Sequence, residues 1–90
     1  MVTMNDREII KRQLGRAITE FRHALRIRQS DFAGRLGISP AMLNHIEKGR
    51  REASFMFFVE LRRRYGISLD DLIDEVVREI DSQQNAEAAE

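Results

Sequence analysis

Ser39 and His45 come nearest to a nucleophile and base in this 90-residue chain, and their spacing argues against that use. They lie six positions apart within one helical stretch, so they point to different sides of it. The other histidine, His23, reads as a surface residue, and there is no cysteine. Thiolate metal sites and disulfides are therefore excluded, and two histidines are too few for a histidine metal centre without carboxylate help. No glycine-rich phosphate loop is present. The residues point away from catalysis: no enzyme, cofactor, metal or small-molecule ligand is expected.

The chemistry that remains is charge and hydrogen bonding toward a polyanion. Lysine and arginine total 15 and aspartate and glutamate 15, so the net charge is zero, but the charges are segregated. Residues 1–66 hold 14 basic and 7 acidic side chains, a balance of +7, whereas residues 67–90 hold Arg78 against 8 acids, a balance of −7. A basic body with an acidic end fits a face for nucleic acid and a region held away from it.

These side chains must be positioned by helices. Apolar residues make up 42% of the chain and charged residues 33%, ordinary for a globular protein, and 90 residues suffice for one domain. The spacing is helical throughout, with no alternating strand pattern, and predicts an all-α fold of five helices. Asn5 is expected to cap the first, whose apolar positions Ile10, Leu14, Ala17, Ile18, Phe21 and Leu25 recur at steps of three, four and one. A second, short helix runs from Gln29 to Leu36 and stops at Gly37. Ser39 caps a third, with Pro40 at its first position and Gly49 as its stop. Ser54 caps a fourth that ends at Gly66. Ser68 caps a fifth, with Asp71 three residues on. One domain is expected over residues 1–82, followed by a polar, disordered tail over 83–90. No run approaches the length of a membrane span, and the N-terminal residues have no signal-peptide core, so a cytoplasmic protein is expected.

The second and third helices form a specific pattern. Ala33 is small where two helix backbones would approach, and Gly37 tolerates a tight turn. Phe32, Leu36, Ile38, Leu43 and Ile46 supply a shared apolar wedge. Residues 29–48 thus have the pattern of a helix-turn-helix, a unit whose second helix enters the DNA major groove.

At this point the chain resembles the Cro/C1-type (XRE) helix-turn-helix proteins, the phage-repressor-like regulators. Four stretches carry the resemblance: Gln29, Ser30, Asp31, Phe32 and Ala33; Leu36, Gly37, Ile38 and Ser39; Ile46, Glu47, Lys48, Gly49, Arg50 and Arg51; and Tyr65 through Leu72. It implies that Pro40, Ala41, Asn44 and His45 face base edges. It also implies that Arg28, Gln29, Ser39, Lys48, Arg50 and Arg51 lie against phosphates, with the loop around Gly49 pressing backbone amides onto them. Arg22 and Glu47 match an ion pair of structural role. Pro40 and Ala41 depart from the family's usual polar residues, so hydrogen-bond readout falls to Asn44 and His45. Asn44 could pair with adenine and Ala41 could meet a thymine methyl, supplemented by DNA shape. Arg28 stands where the family commonly has a serine or threonine cap.

Helices four and five carry more apolar surface than one core needs. Phe55, Phe58 and Leu61 are assigned to the core, and Met56, Phe57, Leu72, Val76, Val77 and Ile80 to a partner surface. A homodimer built on residues 54–65 and 69–81 is the expected assembly. The expected function is a sequence-specific transcriptional regulator, a repressor, whose partner is double-stranded DNA. Two alternatives compete: an antitoxin that represses its own operon and binds a toxin or another regulator through this surface, and an interaction module that no longer touches DNA. The run Arg62, Arg63 and Arg64 reads mainly as a solvated basic face.

Overall fold

A computed structural model describes the backbone of residues 4–88 and the side chains of residues 6–82. The described residues form five helices and no strand: α1 (Met4–Ala24), α2 (Gln29–Leu36), α3 (Pro40–Glu47), α4 (Phe55–Tyr65) and α5 (Leu69–Ala88). Two boundaries differ from the sequence reading. Asn5 lies inside α1 rather than at its cap. The fifth helix runs six residues past position 82, into the stretch expected to be a disordered tail, and residues 89–90 lie outside the described part.

The helix ends form as local chemistry dictates. Ser39 Oγ accepts the Met42 amide at 3.1 Å, and Ser54 Oγ accepts the Phe57 amide at 3.2 Å. Each satisfies a first-turn amide that has no partner within its own helix. Ser68 Oγ accepts the Asp71 amide at a longer 3.4 Å. At the end of α2, Gly37 adopts φ 74°, the Ile38 amide reaches the Ala33 carbonyl at 3.0 Å, and the Gly37 amide reaches Gly34 at 3.3 Å. This pair of bonds closes a helix on a left-handed residue, and glycine adopts that conformation without strain. The chain then enters α3 at Pro40.

The core lies where α1, α2 and α3 converge and is closed by α4 and α5. Ile18, Phe32, Leu43, Phe57 and Leu61 are its largest fully buried side chains. Burying each apolar side chain of this size contributes about 1.5–3 kcal/mol. Tyr65 packs edge-on to Phe21 and tilted on Phe32, with ring centroids 5.9 and 5.3 Å apart, which joins the end of α4 to α1 and α2.

The assignment of faces on α4 is corrected by this packing. Phe57, expected at a partner surface, is 1% exposed, while Phe55, expected in the core, is 74% exposed. With Ser54 as cap, positions 57, 58, 61 and 65 share the inward face, and 55 and 56 turn outward. Leu72 and Val76 are likewise buried against the protein's own core rather than held for a partner. Met56, Ile73 and Val77 remain exposed, and Ile80 is half-buried.

One close approach has no signal in the sequence pattern. Gly15, in the middle of α1, faces the end of α3, and a Cβ there would lie 2.3 Å from the Ile46 carbonyl oxygen and 2.6 Å from that of Glu47. Only glycine lets the two backbones meet so closely, and this contact sets the depth at which α3 sits on α1.

Candidate nucleic-acid interface

Leu43 and Ile46 anchor α3 to the core, which turns the opposite side of the helix outward. Pro40 and Ala41 are exposed there, and Asn44 and His45 are half-buried beside them. The structure thus gathers all four proposed base readers on one short helix. Arg28 and Ser39, just ahead of α2 and α3, are exposed, as are Lys48, Arg50 and Arg51 beyond α3. The basic side chains of Arg28, Lys48, Arg50 and Arg51 are therefore all open to solvent.

Local hydrogen bonds narrow what each of these groups can offer. After α3, the amides of Lys48, Gly49 and Arg50 donate to the carbonyls of Asn44, Ile46 and His45 at 2.8–3.0 Å, and the Arg51 amide also reaches His45 at 3.3 Å. The backbone amides expected to meet phosphates are thus engaged in ending the helix. The groups left for a polyanion are the side chains of Lys48, Arg50 and Arg51. At the start of α2 the situation reverses: Arg28 makes no side-chain cap bond, so the first-turn amides of α2 are left uncapped by it. A helix N-terminus in that condition favours an anion.

Behind the α3 face lies a partly buried polar network. Arg22 Nε and Nη2 donate to Glu47 Oε2 and Oε1 at 2.7 and 3.1 Å, and Arg22 Nη1 donates to the Ile27 carbonyl at 3.0 Å. The two side chains are only 12% and 5% exposed, so the ion pair expected from the sequence is present and shielded from water. It ties α1 to the end of α3 and to the loop before α2. Gln29 completes the network: its Nε2 donates to Glu47 Oε1 at 3.0 Å and to Asn44 Oδ1 at 3.3 Å. Both side-chain amide hydrogens of Gln29 are used inside the protein, so the phosphate contact expected of this side chain is not available in this arrangement. Its backbone amide at the start of α2 remains. The Gln29–Asn44 bond had no signal in the sequence, since it joins residues 15 positions apart.

The other basic run has local partners. Arg63 and Arg64 pair with Glu60 at 2.9 and 2.8 Å, and Arg62 donates to the Gly66 carbonyl at 3.2 Å. The Arg64 guanidinium, helped by Arg63, holds the Glu60 carboxyl below the usual carboxylate range. These arginines serve the C-terminal end of their own helix.

Among the described residues no cluster of histidine and acidic side chains could hold a metal ion, and no helix is long and apolar enough to cross a membrane. A groove of about 320 Å³ runs between α1, α4 and α5, lined by Ile10, Leu14, Phe58, Leu69, Leu72, Ile73, Val76, Val77 and Ile80. It is distinct from the residues of the α3 face.

Comparison with known proteins gives two findings. A family model described as a helix-turn-helix domain matches residues 13–76, which spans all of α2, α3 and α4. Among solved structures, the chain is similar to the clp gene regulator ClgR from Corynebacterium glutamicum, with a TM-score of 0.76 and 25% identity. That likeness covers 89% of this chain and 85% of the other. No curated protein matches.

Proposed function

The chain belongs to the helix-turn-helix domain family, and from that premise we propose that it is a DNA-binding transcriptional regulator, a repressor that reads the major groove with α3. The observation that carries this reading is the α3 face of exposed Pro40 and Ala41 and half-buried Asn44 and His45, accompanied by the exposed side chains of Arg28, just before α2, and of Lys48, Arg50 and Arg51, just after α3. Such an arrangement separates two tasks. The arginines and lysine meet phosphates and fix register, while the helix face meets base edges. The likeness to a solved gene regulator supports the same reading.

The protein acts as a homodimer in this proposal. The groove between α1, α4 and α5 is lined by apolar side chains, with Ile10, Leu69, Ile73 and Val77 each between 36 and 48% exposed. Burying it against a second copy leaves α3 of each copy free to enter DNA. Two recognition helices then address half-sites about 34 Å apart, one turn of the duplex. The acidic side of α5, with Asp71, Asp74, Glu75 and Glu79, is exposed and is not part of the reading face.

The test is fluorescence anisotropy on duplex DNA between about 50 and 200 mM salt, a range over which phosphate contacts dominate the change in affinity. Enrichment of a palindromic sequence, with affinity falling steeply as salt rises, supports the regulator. Arg50→Ala lowers the magnitude of the log–log slope by about 0.9, the value for one phosphate contact. Absence of binding at low salt overturns the proposal in favour of a protein-interaction module.

A further inference from the structure

Asn44 is the amide on the proposed reading face, and an amide can present a base with either a donor or an acceptor. The network behind it removes that freedom. Glu47 holds the Arg22 guanidinium through both oxygens, so it faces Gln29 as a carboxylate, which only accepts hydrogen bonds. Gln29 must therefore turn its nitrogen, not its oxygen, toward Glu47, and it does so at 3.0 Å. The same nitrogen lies 3.3 Å from Asn44, and a second nitrogen there would place donor against donor. Asn44 must accordingly present Oδ1, as it does. What Asn44 has left over is Nδ2, which carries no hydrogen bond among the described residues.

We infer that Asn44 is a polarised reader whose Nδ2 donates to a base edge rich in acceptors, guanine first, and that Gln29 is the positioning residue that sets this polarity. The inference rests on the DNA-binding reading above and gives it a base. Guanine offers two major-groove acceptors, O6 and N7, to the two hydrogens of Nδ2. Adenine sets its N6 amino group where guanine has O6, and that donor opposes Nδ2. The bidentate pairing of asparagine with adenine needs Oδ1 turned outward, and breaking the Gln29 bond to free it leaves one Gln29 hydrogen without its partner. The orientation thus reverses the preference that asparagine alone would suggest. It also assigns the start of α2 a part in specificity, although Gln29 need not touch a base.

The experiment is selection from a randomised duplex pool by the full chain and by three variants, Asn44→Ala, Gln29→Ala and Asn44→Asp, with thermal melting recorded for each. Asn44→Ala identifies the base pair that Asn44 reads as the position that loses discrimination. In the wild type that position holds guanine, preferred over adenine by roughly tenfold. In Gln29→Ala the asparagine amide can turn, and the guanine preference collapses at that position alone while the rest of the motif persists. A merely structural part for Gln29 would instead weaken all sequences alike. Asn44→Asp keeps an acceptor toward Gln29 and turns an oxygen outward, which shifts the position toward cytosine. Adenine at the Asn44 position in the wild type overturns the inference, as does a guanine preference that survives Gln29→Ala. Selection that enriches no sequence with any protein overturns the DNA-binding reading itself, and this inference with it.

Discussion

Arg22 and Glu47 are 25 residues apart in sequence, yet two guanidinium nitrogens of one lie 2.7 and 3.1 Å from the two carboxylate oxygens of the other. Around this pair the helix-turn-helix is assembled. Arg22 holds the end of α1 to the Ile27 carbonyl, and Glu47 holds Gln29 at the start of α2. A fork-shaped pair of this kind adds geometric constraint as well as energy. Because both side chains are largely shielded, removing one partner leaves the other without compensation. Glu47→Ala should lower stability by about 3–5 kcal/mol in urea unfolding. A loss below about 1 kcal/mol would mean that water already screens the pair in solution.

Gly15 and Gly34 make opposite predictions from one substitution. A methyl at Gly15 meets the Ile46 and Glu47 carbonyls, which are backbone and cannot yield cheaply, so Gly15→Ala should cost about 1–3 kcal/mol or more. A methyl at Gly34 meets nothing within 4 Å on the exposed side of α2. Gly34→Ala should therefore stabilise by about 0.5–1 kcal/mol through helix propensity. Thermal melting of the two variants side by side checks both signs.

On α4 the exchange of faces can be tested directly. Phe57→Ala opens a cavity in the core and should cost about 3–5 kcal/mol. Phe55→Ala changes an exposed side chain and should stay within about 0.5 kcal/mol under conditions where the protein is monomeric. Equal losses in the two variants would contradict this packing.

At Arg28 stability and binding should part company. Arg28→Ser provides the cap oxygen that α2 lacks and should add about 0.5–1 kcal/mol of stability. The same variant loses a cation beside the proposed DNA face, so its binding should weaken, with the salt slope reduced by about 0.9. A variant that is more stable and binds as well as the wild type would remove Arg28 from the interface.

Val77 tests the dimer. It is 48% exposed at the groove between α1, α4 and α5, so Val77→Asp should leave the fold intact and abolish association. Sedimentation at micromolar protein should give a dimer for the wild type and a monomer for the variant. The wild-type Tm should also rise with protein concentration, because assembly stabilises the folded state by mass action. A wild-type monomer would discard the proposed assembly.

By itself the sequence determined what is local. The cap serines 39 and 54, the stop at Gly37 and the helical spacing of apolar residues depend on neighbours within a few positions, and α2, α3 and α4 appeared where that chemistry put them. The Arg22–Glu47 pair was legible through resemblance to a family, not from local rules. Tertiary structure decided the rest. Phe55 and Phe57 are equally apolar, and only the angle at which α4 lands on the core chooses between them. Gly15 sits unremarked in a helical run until α3 is laid across it. Asn44 is an amide of either polarity until folding brings Gln29, held by Glu47, against it. Periodicity and capping are properties of a segment, whereas the face a helix buries and the direction an amide points are set by the atoms of distant segments.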